Sequence, residues 1–230
     1  MDPKGSPPSL SPQGSVPPSD RALRTPWAFW ERYQTSTRKN RDNYEETNEN
    51  IYTFNSLAKF AAVWKNTPYN SLSAFFFDLK NSELKKMTIA GEERVVEALL
   101  LFRAGIEPKW EDPQNLQGTS LICELHDPAP EDLDLIWSDL VFALIGERFE
   151  YSEEINGVRV LDRLQKFGLV KVELWIKVGL LKQKQGSAEY ERNKAVRNSV
   201  TAEFFKLLKG RVPDVVEAMI IPKDHHAATV

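Results

Sequence analysis

The spacing of hydrophobic and polar residues changes several times along the chain, and each change predicts an element. The close-set aromatics of PWAFWERY, which begins at Pro26, predict a first strand packed into a core. Apolar residues at helical spacing follow Asn55 and Ser56, either of which can cap a helix that runs to about Asn66. Pro130 begins a longer predicted helix, because acidic residues crowd its first turn and apolar residues then recur at helical spacing.

Residues 157–177 have the alternation of a β-hairpin. Two alternating runs flank QKFG, and Gly168 is predicted to lie in the turn. A hairpin centred on Phe167 places Arg163 opposite Lys171 on one side of the sheet. Two facing cations repel each other unless an anion lies between them, and a triphosphate is one such anion. The alternative is a basic face turned to solvent.

The remaining segments give weaker patterns. Residues 1–24 are rich in Pro, Ser and Gly and hold few apolar residues, which predicts a disordered tail ahead of one domain over residues 25–230. Residues 92–100 are predicted to be helical, and the polar run that follows Lys177 is predicted to be a mobile loop. SVTAEFFKLLKG predicts a last helix that ends at Gly210, and VVEAMII predicts a final strand.

Composition limits the classes of function. At 230 residues, with 41% hydrophobic and 10% aromatic residues, the chain suits one domain with a proper core. Its formal net charge of −3 argues against binding nucleic acid by coating phosphates with Lys and Arg, so any such role must be local. Cys123 is the only cysteine, which excludes an internal disulfide. Without a transmembrane run or a signal peptide, the sequence predicts a soluble cytoplasmic or nuclear protein with no membrane partner.

Signatures of catalysis and of metal binding are missing from the sequence. It contains no nucleophile elbow, phosphate-binding glycine loop or zinc signature, which favours a binding protein over an enzyme. The clearest carboxylates have binding rather than acid–base explanations. The adjacent His225 and His226 lack further ligands at suitable spacing, so no metal site is predicted.

Trp110 and Glu111, within residues 101–112, have the chemistry of a base-binding pocket. The indole of Trp110 offers a broad face for stacking, and an ionised Glu111 can accept from both N1–H and the N2 amine of guanine. Methylation at N7 gives the base a positive charge, which adds cation–π attraction to stacking. Gly105 and Pro108 would set the loop that displays the pair. The alternative is a rim aromatic beside a solvated charge.

FRAGIEPKWED, followed by Asn115, closely resembles the cap-contacting segment of the eukaryotic translation initiation factor 4E family, and LDLIWSDLVFALIGERF matches that family's long helix. The resemblance spans roughly Trp27 to Val230. It implies an α+β fold: a curved antiparallel β-sheet with helices packed on its convex face and the 7-methylguanosine cap bound on its concave face. It implies no cofactor. The implied partners are capped messenger RNA, a 4G-type scaffold protein of translation initiation and 4E-binding repressor peptides.

The resemblance also assigns the residues that contact the cap. Trp110 and Tyr44 are expected to stack on the methylguanine, while Glu111 binds its edge. Tyr44 stands where the family usually has a Trp, and an ordinary loop tyrosine is the alternative. The other residues expected at the cap are Trp175, at the methyl group, and Arg163, Lys171 and Lys166, at the phosphates. The alternative for Trp175 is a core residue.

In the family that the sequence resembles, the helices on the convex face of the sheet bind the amphipathic peptide of the scaffold. By resemblance, the residues assigned to this surface are Leu57, Trp64, Trp137, Asp139 and Phe142. Two positions depart from the family's pattern, since Ala61 and Ser138 replace a usual Trp and a usual Leu. A solvated helix face is the alternative for the second helix.

An enlarged insertion over residues 67–98 is the most individual part of the chain. Its three successive phenylalanines, residues 75–77, must be buried, either in a short strand or packed on the body of the domain. These departures predict a divergent paralogue, with a protozoan, kinetoplastid-type source as the expectation. A rival hypothesis is an interaction or repressor module that keeps the fold and has little affinity for the cap.

Overall fold

The computed structural model describes residues 20–33, 48–78, 80–83, 85, 87–89, 92–180 and 183–225. The first strand begins at Ala22, so regular structure starts before the domain boundary predicted at residue 25. Residues 1–19, which make up most of the predicted tail, and Tyr44 lie outside the described residues. Within the described ranges, no helix is both long enough and apolar enough to cross a membrane.

Seven of the described strands form one curved antiparallel sheet. In chain order the strands are β1 (Ala22–Tyr33), β2 (Asn48–Ser56), β3 (Met87–Ile89), β4 (Glu92–Arg94), β5 (Val96–Arg103), β6 (Thr119–His126), β7 (Ile155–Arg163), β8 (Leu169–Ile176) and β9 (Ile221–Asp224). The order across the sheet is β2-β1-β5-β7-β8-β6-β9, while β3 and β4 form a separate hairpin. The predicted first strand and the predicted hairpin are both confirmed.

Two of the helices, α1 and α2, begin at residues that the local sequence predicts. The described α-helices are α1 (Leu57–Asn66), α2 (Pro130–Ile145), α3 (Leu164–Phe167) and α4 (Ala188–Lys209). Short 3₁₀ turns lie at Pro68–Asn70, Leu72–Ala74, Ser152–Glu154 and Glu217–Met219. The side chain of Ser56 caps α1 by accepting the N–H of Lys59 at 3.4 Å, and α2 begins at the predicted Pro130.

Alternation of side chains gives the sheet two different faces. The convex face packs against the helices in the larger core, where Leu133, Ile136 and Trp137 of the predicted α2 stripe are buried. Complete burial of one such side chain contributes roughly 1.5–3 kcal/mol. The concave face carries a second cluster, with Trp30 and Trp110 packed against it: Ala98, Leu100, Phe102, Ile106, Leu161 and Trp175.

The helix predicted for residues 92–100 is wrong, because the structure has β4 and β5 there. β5 lies between β1 and β7 in the middle of the sheet, and its residues 98–102 are each at most 1% exposed. A strand buried on both faces reads as a continuous apolar run. Periodicity alone does not distinguish such a run from a buried helix.

The C-terminal third of the chain also differs from the prediction. The polar run predicted to be a mobile loop contributes residues 188–198 to α4, a helix of 22 residues. Only a narrow stripe of this helix is buried, so most of its residues are polar and the sequence shows no clear helical period. The buried residues are Asn193, Val196, Val200, Phe204 and Leu208. The predicted final strand over residues 215–221 is mostly a loop with a 3₁₀ turn, and β9 begins only at Ile221.

The insertion packs on the body of the domain, as one of the two alternatives predicts. Phe75 and Phe76 are each 1% exposed and follow the 3₁₀ turns rather than forming a strand. The hydroxyls of Ser71 and Ser73 donate to the Asp134 carboxylate of α2 at 2.9 and 2.7 Å. These charge-assisted bonds attach the insertion to the first half of α2.

Glu31 is a carboxylate buried between the sheet and the insertion, with 1% of its surface exposed. Tyr33 donates its hydroxyl to Oε2 of Glu31 at 2.5 Å, and Tyr69 of the insertion donates to Oε1. Burial, and then the neighbouring Glu31, raises the pKa of both tyrosines, so both remain protonated donors. Because a buried carboxylate without donors is unfavourable, Glu31 holds Tyr69 and the insertion against the sheet.

We predict that Tyr69→Phe lowers the free energy of unfolding by about 1–3 kcal/mol, because one oxygen of the buried Glu31 loses its donor. Urea unfolding followed by circular dichroism measures the change. The matched control is Tyr190→Phe, at a half-exposed position of α4, where a change below about 0.5 kcal/mol is expected. Equal values for the two variants would contradict the anchoring role of Tyr69.

Candidate functional site

The loop between β5 and β6, residues 104–118, displays Trp110 and Glu111. Gly105 has a φ of +85°, a conformation that favours glycine, and it turns the chain into the loop as predicted. Asn48 of β2 donates its side-chain amide to the carbonyl of Pro108 at 3.2 Å. This contact ties the loop to the edge strand of the sheet.

Two buried side chains, Asp112 and Asn115, hold the backbone of this loop. Oδ2 of Asp112 accepts the N–H of Glu107 at 2.9 Å. The Asn115 amide is fully buried and donates to the carbonyls of Glu107 and Lys109, each at 2.8 Å. Asn156 of β7 donates to Oδ1 of Asn115 at 2.9 Å. The backbone on both sides of Trp110 is therefore fixed before any ligand binds, which lowers the entropy lost on binding.

The indole of Trp110 already has two neighbours from the C-terminal end of the chain. Trp110 is half-buried, whereas Glu111 is exposed. The ring centroids of His225 and Trp110 lie 5.5 Å apart, and the two ring planes are inclined by 15°. Nζ of Lys223 lies 4.6 Å from the Trp110 ring centroid. A flat ring and a cation thus contact Trp110, and these are the two features that a methylated guanine would bring.

His225 is a buried histidine, 3% exposed, that links three parts of the site. Its Nδ1 lies 2.7 Å from the carbonyl oxygen of Asn115, and a carbonyl only accepts, so Nδ1 carries the proton. Nε2 then accepts from the hydroxyl of Ser120 at 2.7 Å. Burial lowers the pKa of His225, which favours this neutral form. No sequence motif marks this role of His225.

Trp175, the residue expected at the N7-methyl group, lies beneath these side chains and is 1% exposed. The His225 ring centroid is 4.6 Å from that of Trp175, and Cζ of Arg159 is 5.0 Å from it. Arg159 is held there by an ion pair with Glu173 at 2.7 Å, and the Trp175 indole N–H donates to the same carboxylate at 3.1 Å. A base can contact Trp175 only after His225 or Arg159 moves.

The β7–β8 hairpin confirms that Arg163 and Lys171 share one side of the sheet but corrects how they are paired. Each of the two pairs with a leucine of the opposite strand, so they are diagonal neighbours. The predicted centre at Phe167 is one residue too late. The reason is that α3 forms the turn and Gly168, with a φ of +63°, closes it.

Arg163 is joined to Glu97, which also pairs with Arg32. Nε of Arg32 lies 3.0 Å from Oε2 of Glu97, and Arg163 binds the other oxygen. Glu97 has no partner in the ladder between β1 and β5, where the register shifts, and a bulge of this kind re-aims a side chain. Arg163 thus lies beside a second guanidinium group, that of Arg32, and guanidinium groups can bind phosphate through paired hydrogen bonds.

The two lysines expected at the phosphates have weaker partners. Nζ of Lys171 lies 2.6 Å from Oε1 of Glu124 on β6, and the two side chains are 34% and 43% exposed. An ion pair this exposed contributes at most about 1 kcal/mol, so a phosphate can replace the carboxylate at little cost. Nζ of Lys166 lies 5.0 Å from the ring of Phe167, which is itself 58% exposed at the α3 turn.

On the convex surface, Trp64 of α1 and Phe142 of α2 form an aromatic pair. Their ring centroids are 5.3 Å apart at 62°, and Phe142 is 45% exposed. Leu57, at the start of α1, is also 45% exposed. Asp139, one turn before Phe142, forms an ion pair with Nε of Arg211 at 2.7 Å. Three of the five predicted partner-binding residues thus present apolar surface, and the fourth already has a cation.

Trp137, the fifth, is corrected by the structure. Its side chain is 0% exposed, and its Nε1 donates to the carbonyl of Tyr69 at 2.7 Å inside the core. A partner cannot contact this indole without opening the core. Trp137 therefore supports the position of α2 rather than binding a partner directly.

We predict that the protein becomes less stable as the pH falls below the ordinary histidine pKa of 6.5. Because burial lowers the folded-state pKa of His225, the unfolded state takes up the proton first. Stability is then fully present above that pH and is lost as the pH falls through the lower folded-state pKa. Thermal unfolding across this range measures the slope. His225→Gln should flatten it, whereas His126→Gln, at an exposed position, should not. Parallel curves for wild type and His225→Gln would refute this assignment.

Comparison with known proteins gives a family match over most of the chain. The sequence model of the family described as Eukaryotic initiation factor 4E matches residues 22–211. Isoform 4E of the same factor from Solanum lycopersicum is 29% identical over 170 residues, which are 74% of this chain and 72% of that protein. Isoform 4E from Arabidopsis thaliana is 41% identical over 75 residues, which are 33% of this chain and 37% of that protein.

Two solved structures with a similar fold are those of eIF4E-3 from C. elegans and from Ascaris suum. C. elegans eIF4E-3, solved with the 4E-binding protein Mextli, has a TM-score of 0.61 and 21% identity over 86% of this chain and 90% of its own. Ascaris suum eIF4E-3, solved with an m7G cap, has a TM-score of 0.60 and 21% identity over 92% of this chain and 94% of its own. The predicted α+β fold is confirmed, and the low identities fit a divergent member. Since the family match runs from β1 to just beyond α4, this chain belongs to the eukaryotic initiation factor 4E family.

Proposed function

We propose that this chain binds the 7-methylguanosine cap of messenger RNA in translation initiation. The family is one of initiation factors, and a relative of similar fold was solved with an m7G cap. The observation that carries the proposal is the braced loop that displays Trp110 beside the exposed Glu111. Membership of this family also agrees with a binding protein rather than an enzyme.

Recognition of the base is assigned to Trp110 and Glu111. The carboxylate of Glu111 forms no ion pair among the described residues, and it accepts from N1–H and N2–H of guanine. A hydrogen bond to a charged group contributes about 1.5–3 kcal/mol. Trp110 stacks on the ring, and Tyr44, which lies outside the described residues, remains the predicted second stacking residue.

Recognition of the phosphates is assigned to Arg163 and Lys171, with Lys166 as a third candidate. Arg163 and Arg32 both bind the Glu97 carboxylate, so two guanidinium groups lie close together. A guanidinium binds phosphate through two parallel hydrogen bonds, which fixes the phosphate chain as well as attracting it. The Lys171–Glu124 pair is exposed enough to exchange its carboxylate for phosphate.

A second candidate function is an interaction or repressor module with little affinity for the cap. The coverage of Trp175 by His225 and Arg159 favours this candidate, since a base would have to displace one of them. Retention on 7-methyl-GTP resin distinguishes the two functions. Elution by free 7-methyl-GTP but not by GTP supports cap binding, and absence of retention supports the module.

We predict that Glu111→Ala abolishes retention on 7-methyl-GTP resin, because the base loses both charge-assisted hydrogen bonds at its edge. Loss of two such bonds corresponds to at least about a hundredfold lower affinity. The matched control is Glu107→Ala, in the same loop, where the carboxylate forms an ion pair with Lys109 at 2.7 Å and no other ion pair among the described residues. Retention of Glu111→Ala at the control level would rule out the role of Glu111.

The convex surface is proposed to bind the amphipathic helix of a 4G-type scaffold or of a repressor peptide. The C. elegans relative was solved with a 4E-binding protein. In this chain, Leu57 and Phe142 are exposed on α1 and α2, and the half-buried Trp64 packs against Phe142. An amphipathic helix binds such a surface through its apolar positions.

We predict that Phe142→Ala lowers the affinity for an amphipathic scaffold peptide about tenfold or more, since truncating a central aromatic of an interface costs at least about 1.4 kcal/mol. Fluorescence anisotropy of a labelled peptide measures the change. Retention on cap resin should stay the same, because Phe142 lies on the face opposite the cap site. Met219→Ala, which truncates another exposed apolar residue, is the control. Wild-type peptide affinity in Phe142→Ala would exclude this surface.

A further inference from the structure

We propose that Lys223 weakens the preference of the pocket for a positively charged, N7-methylated guanine over an unmethylated one. The inference rests on the proposed cap-binding function. It concerns the selectivity between two bases rather than the affinity for nucleotides in general. The residue acts through its charge, which lies on the aromatic ring that a methylated base would use.

The position of Lys223 is fixed by the strand that carries it. β9 pairs with β6, with Lys223 opposite Ser120. On one side of Lys223, the Asp224 carboxylate accepts the hydroxyl of Thr119 and the N–H of Leu180, the latter at 3.2 Å. Beyond it, the N–H of His225 donates to the carbonyl of Gly118 at 2.8 Å. Lys223 therefore extends from anchored backbone, and its side chain leads Nζ to within 4.6 Å of the Trp110 ring centroid.

Lys223 forms no ion pair among the described residues. Arg159, another cation on an aromatic ring of this site, is paired with Glu173 at 2.7 Å. An unpaired ammonium on an indole face is held by the negative potential of the ring. The same potential is what distinguishes a cationic methylguanine from a neutral guanine.

The expected effect has the same sign for either face of Trp110. If Nζ and the base use the same face, the ammonium and the charged base compete for it. If they use opposite faces, the two positive charges repel each other across the ring, with partial screening because Lys223 is exposed to solvent. A neutral guanine still competes with Lys223 for space on the ring, but it is not repelled by the charge of Lys223. Removing the charge of Lys223 therefore favours the methylated base more.

The test is the ratio of the dissociation constants of GTP and 7-methyl-GTP, measured by isothermal titration for wild type and Lys223→Met. Both nucleotides carry the same triphosphate, so any contact of Lys223 with phosphate cancels in the ratio. We expect Lys223→Met to raise the ratio about threefold or more, from the typical strength of an exposed cation–π contact. Lys223→Arg keeps the charge and should keep the ratio at or below the wild-type value.

Lys209→Met is the matched control, because Nζ of Lys209 lies 5.5 Å from the ring of Phe205 on α4, away from the pocket. It should leave the ratio unchanged. An unchanged or lower ratio in Lys223→Met, with binding intact, overturns the role of Lys223 alone. If neither wild type nor Lys223→Met binds 7-methyl-GTP, the cap-binding proposal fails and this inference fails with it.

Discussion

Alternation along β5, β7 and β8 is the constraint on which both surfaces of the protein depend. Successive side chains of a strand point to opposite faces, so one set packs under the helices while the other forms the concave face, where the cap is proposed to bind. Leu101 is buried in the larger core between the sheet and the helices. Its neighbour Phe102 packs edge-on against Trp175 on the other face, with 5.3 Å between the ring centroids. A register error of one residue would exchange these sets and destroy both surfaces. Glu97 escapes the alternation through a bulge, and that departure lets it bind Arg163.

Local signals were sufficient for part of the fold and of the site. The start of α2 at Pro130 and the turn at Gly105 each depend on a few neighbouring residues and were predicted, and Ser56 is one of the two residues predicted as the cap of α1. The strands β4 and β5 at residues 92–100 were not predicted, because the apolar run in this stretch has no period that marks a strand. The role of His225 was not predicted either, since it arises from the pairing of β9 with β6, which brings together residues about a hundred positions apart.

The pocket proposed for the cap contains groups that also need partners in the free protein. Buried polar groups are nearly always hydrogen-bonded, and aromatic faces attract nearby cations. In this chain His225 forms hydrogen bonds to Asn115 and Ser120, and Arg159 combines an ion pair with a cation–π contact to Trp175. A ligand that displaces these contacts must therefore gain more free energy from its own contacts than the free protein loses.

If a partner helix binds the convex face as proposed, the ion pair between Asp139 and Arg211 has a consequence for the choice of partner. A basic side chain arriving from a partner can reach the Asp139 carboxylate only by displacing Arg211. The net gain is the small difference between two similar guanidinium–carboxylate pairs, because one is broken as the other forms. Electrostatic attraction at Asp139 thus contributes little to discrimination among partners. Shape and apolar fit around Phe142 and Trp64 are left to decide which helices stay bound.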